Sequence, residues 1–205
     1  MTKTPTTKKT KTATAKAKPS QKKTTPKALP KLPLRPLAFE VLDLVSKQRT
    51  KAKKIEVLKT YAHDSIMAVL IWNFDESIVS LLPEGDVPYG NTREDNSVTG
   101  SLSDKINDAV GMMRESGSAS LGSQDQGKAS IRGEYTKFYN FLKGGNNGLS
   151  GLRRETMFIN ILEGLHPLEA EILVLVKDKK LTDRYKITKE IVGAAYPQIV
   201  WGGRS

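Results

Sequence analysis

Residues 64–74 read DSIMAVLIWNF, a stretch in which apolar side chains fill nearly every position after the opening Asp-Ser pair. A helix with so few polar positions has almost no face to present to water, so it is expected to be buried on nearly all sides. Asp64 is expected to cap its beginning. This stretch therefore predicts a mostly α-helical fold in which residues 64–74 form the most buried element.

Helical periodicity also appears on both sides of this stretch. Upstream, residues 37–61 carry two apolar stripes, which predict two short helices or one bent helix. Downstream, four segments have helical patterns: 131–142, 152–165, 168–180 and 188–195. Ser77–Leu82 are expected to add another helical turn, and residues 199–201 to pack back on the core. The sequence thus predicts a compact helical domain over residues 37–205, with about six to eight short helices.

One part of this domain has a different composition. In residues 96–130, 13 of the 35 positions are glycine or serine. A weakly amphipathic stretch, Leu102–Met113, is interrupted by Gly111 and has too few apolar side chains for a core of its own. The composition predicts a disordered insertion that contains a marginal helix.

The first 36 residues differ again, because they contain many bases and no acid. Nine threonines accompany the bases, and the first acid in the chain is Glu40. So few apolar side chains cannot offset the entropy of ordering, which predicts a disordered tail that ends in an extended, proline-rich lead-in at residues 29–36. Its eleven bases are Lys3, Lys8, Lys9, Lys11, Lys16, Lys18, Lys22, Lys23, Lys27, Lys31 and Arg35.

The tail accounts for the whole formal net charge of +11. Of the 33 basic residues, 22 lie after residue 36, and they equal the 22 acids. The domain is therefore formally neutral, with one dense basic patch. That patch consists of Lys47, Arg49, Lys51, Lys53 and Lys54.

Several kinds of site are excluded or disfavoured. The chain has no cysteine and two histidines, which excludes thiolate metal sites, disulfides and multi-histidine metal centres. Glu163 and His166 have the spacing of some bundle metal ligands, but Pro167 favours His166 as a helix cap. Carboxylates two apart on a helix, as at Glu169 and Glu171, point in different directions. No cofactor, small-molecule substrate or catalytic residue is predicted, and the protein is not expected to be an enzyme.

Two further motifs favour structural roles. The segment GGNNG at residues 144–148 follows a helix, so it is expected to be a turn, with anion binding as the less favoured alternative. Tyr135, Phe138 and Phe141 have helical spacing, which favours one buried face over a platform for stacking bases. His63, Asp64 and Ser65 include the residue types of a catalytic triad, but consecutive residues do not form a relay.

Three blocks of the sequence resemble a known family. They are residues 72–85, residues 144–155 and residues 162–181, which read WNFDESIVSLLPEG, GGNNGLSGLRRE and LEGLHPLEAEILVLVKDKKL. The chain resembles a small uncharacterised family of T-even-like tailed phages, especially phages of cyanobacteria, over about residues 37–94 and 131–201. The resemblance implies a phage origin and a helical fold, and it implies no functional residues.

The tail is the strongest functional signal. A polycation without acids binds phosphates with no sequence readout, because it releases condensed counterions. The sequence therefore predicts a non-enzymatic accessory protein that binds nucleic acid through the tail bases, with Lys47, Arg49, Lys51, Lys53 and Lys54 extending the contact. The helical domain would hold a protein partner or self-associate. The alternative is a virion component whose tail orders on neighbouring subunits.

The expected location follows from both hypotheses. The N-terminus lacks the apolar run of a secretory signal, and no apolar stretch is long enough to span a bilayer. No membrane attachment is expected, and the protein is placed either in the host cytoplasm with the nucleoid or in the virion.

Overall fold

The computed structural model of the protein describes residues 1–2, 31–87, 101–115 and 129–203, and the last three ranges form a helical domain. Within them, two isolated bridges, Ser80 with Leu142 and Ala129 with Leu165, are the only β-type pairings. The mostly helical prediction is confirmed. The helices are α1 (Ala38–Ser46), α2 (Lys51–Thr60), α3 (Asp64–Phe74), α4 (Leu102–Glu115), α5 (Ile131–Glu134), a 3-10 helix (Tyr135–Phe141), α6 (Gly151–Gly164), α7 (Pro167–Lys177), α8 (Leu181–Tyr185) and α9 (Lys189–Ala195).

Helix α7 occupies the centre of the domain. It packs against α1, α3, α4, α6 and α8, and Ile172, Leu173 and Val176 are completely buried. Burying an aliphatic side chain of this size contributes about 1.5–3 kcal/mol relative to leaving it in water. His166 caps the helix, since its Nδ1 accepts a hydrogen bond from the amide of Leu168 at 3.2 Å, and Pro167 takes the first helical position. The predicted cap is confirmed.

Helix α3 is also strongly buried, with Trp72 only 1% exposed. However, eight of the eleven residues of α7 are buried against six of the eleven in α3, so the prediction that α3 is the most buried element is wrong. The predicted N-terminal cap of α3 is wrong by one residue. His63 is the capping residue, because its Nδ1 accepts a hydrogen bond from the amide of Ser65 at 3.1 Å, and Asp64 lies in the first turn. The His63-Asp64-Ser65 segment is therefore a helix start, in agreement with the structural interpretation of this motif.

The helix predicted inside the glycine- and serine-rich insertion is present, but it belongs to the core of the domain, which corrects the prediction that this segment lies outside the core. Residues 102–115 form the uninterrupted helix α4, which packs against α7, so this segment shares the main core. Leu102, Ile106 and Val110 follow each other at helical spacing and are buried. A modest apolar stripe suffices because α7 supplies the other half of the interface. The rest of the insertion, apart from residues 101, 129 and 130, and residues 3–30 of the tail lie outside the described residues, as do the disorder predictions made for them.

One other local prediction is wrong, and another holds only in part. Ser77–Leu82 do not add a helical turn, because the carboxylate of Asp75 accepts hydrogen bonds from the amide and hydroxyl of Ser77 and ends the helix. The chain then extends, and the amide of Leu81 donates to the carbonyl of Phe141 at 2.8 Å. Near the C-terminus, Ile199 and the partly buried Trp201 pack on the core as expected, whereas Val200 is exposed.

A buried carboxylate joins three helices that are far apart in sequence. Glu169, in the first turn of α7, is fully buried. Its Oε1 accepts a hydrogen bond from the amide of Ala38 at 2.8 Å, and its Oε2 accepts one from the amide of Ile131 at 2.9 Å. The first amides of a helix have no intrahelical partner, so Glu169 satisfies one such amide in α1 and one in α5.

Two lysines at the C-terminal end of α7 and just beyond it bind backbone carbonyls. The Nζ of Lys177 donates to the carbonyls of Pro83 and Gly85, at 2.8 and 3.0 Å, and contacts the carboxylate of Asp178. The Nζ of Lys179 donates to the carbonyls of Trp72 and Asp75 at the end of α3. These lysines hold the loop after α3 against the core, and burial lowers the pKa of Lys179.

The GGNNG segment is a turn, as predicted, and a buried arginine holds it. The guanidinium of Arg154 donates to the carbonyls of Asn140, Asn146 and Leu149 at 2.7, 3.2 and 3.1 Å. A Cβ atom at Gly145 would lie 1.8 Å from the carbonyl oxygen of Tyr139, so only glycine fits there. Because the carbonyls of this turn point to Arg154, the favoured interpretation as a turn accounts for the motif.

Candidate nucleic-acid interface

The structure describes seven of the residues predicted to contact nucleic acid. Lys31 and Arg35 belong to the end of the tail and are exposed. The other nine tail bases, from Lys3 to Lys27, lie outside the described residues. The remaining five are the basic patch at the connection between α1 and α2: Lys47, Arg49, Lys51, Lys53 and Lys54.

The end of the tail is attached beside the C-terminal end of α2. The amide of Leu32 donates to the hydroxyl of Tyr61 at 3.1 Å, and Arg132 reaches the carbonyl of Pro36. Tyr61 follows α2, whereas Lys51 begins it, which separates them by about 15 Å along the helix axis. The tail therefore joins the domain about one helix length from the basic patch.

Three of the five patch residues lie in the first turn of α2. The side chain of Thr50 caps the helix by accepting a hydrogen bond from the amide of Lys53. Lys51, Lys53 and Lys54 occupy the first turn, which contains no acid. Cations at this end of a helix oppose its dipole, whereas anions are favoured there. The local sequence therefore concentrates positive charge at a place where it does not help the helix to form.

Three of the five patch residues line a surface groove between α2 and α9. The groove is open and has a volume of about 510 Å³. Arg49, Lys51 and Lys54 form one side, and Lys186 and Lys189 add two bases from the other side. Lys47 and Lys53 are not among the lining residues. The groove thus combines bases from one run of sequence with bases that lie more than 130 positions away along the chain.

Sequence reasoning missed Lys186 and Lys189 because nothing in their neighbourhood marks them. They join the patch through the packing of α2 on α9. The Nζ of Lys54 donates to the carbonyl of Lys186 at 2.5 Å, which holds the connection between α8 and α9 against α2. Lys186 has a left-handed backbone conformation, with φ of 52°, and it follows α8 directly.

Glu190 is the one carboxylate among the residues that line the groove. Its Oε2 lies 2.8 Å from the Nζ of Lys51, and these side chains remain 78% and 73% exposed. The hydrogen bond and charge of Lys51 lower the pKa of Glu190, and Glu190 in turn raises the pKa of Lys51. Both groups are therefore ionised at neutral pH, and the pair is open to water.

Lys189 lies between a carboxylate and an aromatic ring. Its Nζ is 3.4 Å from Oε1 of Glu76 and 5.5 Å from the ring centre of Trp201. Trp201 is partly exposed, in contrast to the buried Trp72. These are the two tryptophans of the chain, so Trp201 is an optical reporter beside the groove.

The alternative sites considered from the sequence have structural explanations. Phe138 and Phe141 are buried against Trp72, with ring centres 5.2 and 6.1 Å from it, which confirms the core interpretation. His166 caps α7 and stacks on Phe39, whereas Glu163 is exposed. Within the described ranges, no group of three or more histidine, aspartate or glutamate residues is arranged to hold a metal ion. None of the helices described has the length and apolar character needed to cross a membrane.

The fold and the groove show which class of protein this is. It is a small helical domain with a basic surface groove, to which a lysine-rich extension is joined. Within that class, the chain belongs to the family of unknown function DUF6433, whose model matches residues 41–109 and 115–183. Arg49, Lys51 and Lys54 lie inside the matched residues, whereas Lys186 and Lys189 lie beyond them. No curated protein and no solved structure matches the chain.

Proposed function

We propose that the protein is a non-enzymatic accessory protein of a tailed phage that binds nucleic acid without sequence preference. The observation that carries this proposal is the distribution of charge, with eleven bases and no acid in residues 1–36. Bases that neutralise phosphates release condensed counterions, which provides affinity for any sequence. The protein would act in the host cytoplasm, associated with the nucleoid.

The groove supports the same proposal independently of the tail. It gathers five bases and one acid on the surface of a domain whose overall charge is formally neutral. Three of those bases surround the start of α2, where cations oppose the helix dipole. Residues that do not stabilise the local structure, such as these bases, are expected at functional sites. In this proposal the rest of the helical domain holds a protein partner or self-associates.

The test measures the binding of full-length protein to duplex DNA, single-stranded DNA and RNA by fluorescence anisotropy at several salt concentrations. If about six tail bases engage phosphates, the slope of log affinity against log salt is about −5, or about a thousandfold weakening between 50 and 200 mM salt. A variant with the eleven tail bases replaced by glutamine should lose most of the affinity and most of that slope.

The second candidate function is a virion component. The same composition favours it, because a tail with eleven bases and no acid also suits an acidic protein surface. Equal binding and equal slopes for the wild type and the tail variant would contradict the nucleic-acid role of the tail and favour this candidate. Stoichiometric amounts of the protein in purified particles would support it directly.

A further inference from the structure

Several bases of the groove have contacts that place them around it. The Nζ of Lys54 donates to the carbonyl of Lys186, that of Lys51 pairs with Glu190, and that of Lys189 lies near Glu76 and the ring of Trp201. The free protein therefore gathers three ammonium groups from α2 and α9 around one groove.

Glu190 has a special position within this arrangement. Its carboxylate is the single anion among the lining residues, and it binds Lys51 at the distance at which a phosphate oxygen would be bound. Because both side chains are mostly exposed, the ion pair is strongly screened and contributes little to stability. An incoming phosphate can therefore replace the carboxylate at Lys51 at a small cost, and the negative charge of Glu190 then opposes the phosphate.

We infer that the groove between α2 and α9 is a second binding surface for the phosphate backbone of nucleic acid, and that Glu190 occupies its anion position in the free protein and limits its affinity. This inference rests on the proposed function. It adds a second contact, on the folded domain, at which the carboxylate of Glu190 competes with phosphate for Lys51. The tail and the groove lie about one length of α2 apart, so one nucleic-acid strand can contact both.

The experiment uses the full chain with its eleven tail bases replaced by glutamine, so that binding by the groove is measured alone. With a short duplex DNA at 50 mM salt, this protein should keep weak binding with a salt slope of about −2, as for two or three phosphates. Adding Glu190→Gln should tighten binding about threefold, and adding Lys51→Gln with Lys54→Gln should weaken it about tenfold. Single-stranded DNA and RNA serve as parallel probes of the same chemistry.

Matched controls separate the effect of the groove on binding from the effect of net charge. Lys59→Gln with Lys143→Gln removes the same charge at exposed positions that do not line the groove, and binding should change less than about twofold. Titration should also change the emission of Trp201, and Trp201→Phe should remove that change because Trp72 is buried in the core. Thermal unfolding of each variant checks that the fold is retained.

The outcomes distinguish the inference from the proposed function. If the wild type binds but the tail-neutralised protein does not, or if Glu190→Gln fails to tighten binding, the inference is wrong and the tail proposal stands. Equal losses in the groove pair and the control pair also contradict the inference. If the wild type binds none of the three nucleic acids, the proposed function fails, and the inference fails with it. A gain of affinity in Glu190→Gln supports the inference when its thermal unfolding matches that of the parent protein.

Discussion

Two groups of charged residues in this domain differ in their burial and in the partners that they bind. In the interior, Glu169 and Lys177 lie near the two ends of α7, are almost fully buried, and each bind backbone groups from distant parts of the chain. At the groove, Lys51 and Glu190 are exposed and bind one another. The same residue types therefore join helices in one place and leave charge accessible to a ligand in the other. The number of charged residues cannot separate these roles, because each role depends on the groups that surround the side chain in the folded protein.

The largest effect that would test this comparison is expected at Lys177. Lys177→Met should lower the free energy of unfolding by about 3 kcal/mol, because it leaves the carboxylate of Asp178 and two carbonyls without their buried cation. Urea unfolding followed by circular dichroism measures this change. The salt slope of nucleic-acid binding should stay as in the wild type, since Lys177 is inside the domain.

The neighbouring Lys180 provides the control, because it is exposed. Lys180→Met should change the free energy of unfolding by less than about 0.5 kcal/mol. If the Lys177 and Lys180 variants were equally stable, the division into interior and surface lysines would be wrong.

A smaller effect is expected at Glu169. Glu169→Gln should lower the free energy of unfolding by about 2 kcal/mol at neutral pH, since its amide NH₂ would face an amide donor of Ala38 or Ile131 that loses its acceptor. Glu163→Gln, at an exposed position of α6, is the matched control and should be close to neutral. Similar losses in both variants would show that the buried hydrogen bonds of Glu169 contribute little.

Glu169 also predicts a pH dependence. Burial, and to a smaller extent the charge of Glu40, raises the pKa of Glu169 above its ordinary value of 4.5, although the two amides and Arg132 act in the opposite direction. Between 4.5 and the raised pKa, the native state holds a proton that the unfolded state has lost, so the free energy of unfolding decreases as pH rises through this range. Burial raises the pKa of Glu40 too, so Glu169→Gln should make this decrease shallower without removing it. Urea unfolding from pH 4 upward measures it, and an unchanged pH profile would contradict the assignment.

The smallest effect on stability is expected at the groove. Lys51→Gln should leave the melting temperature within about 1 °C of the wild type, because an exposed ion pair adds little to the native state. Thermal unfolding at low salt measures this shift. A decrease in melting temperature as large as that of Lys177→Met would show that Lys51 stabilises the fold as the interior charges do. It would contradict the distinction between the two groups.

The fold could be predicted from the sequence to the extent that local patterns decide it. Residues 64–74 are apolar on nearly all sides, and His166-Pro167 marks the start of α7, so both elements were identified. The helical turn predicted at Ser77–Leu82 failed because the side chain of Asp75 ends α3 and a bridge to Leu142 extends the chain. Helix α8 was missed because five residues carry too little periodicity to be recognised.

The candidate site could be predicted only in part for a similar reason. Arg49, Lys51 and Lys54 are close together in sequence, so their shared charge was visible there. Lys186 and Lys189 join them through the contact of α2 with α9, and the sequence contains no local sign of that contact. The role of Glu190 depends on a single distance across the groove.

By itself, the sequence determined which class of fold forms and where the excess charge lies, because periodicity and composition act over neighbouring residues. Only the tertiary structure decided that Glu169 and Lys177 are interior groups, that α4 belongs to the main core, and that five bases share one groove with Glu190. Those properties depend on groups that are distant in the chain, such as Lys177 and Pro83, which lie 94 positions apart, and burial and Coulomb energies depend on distance in space.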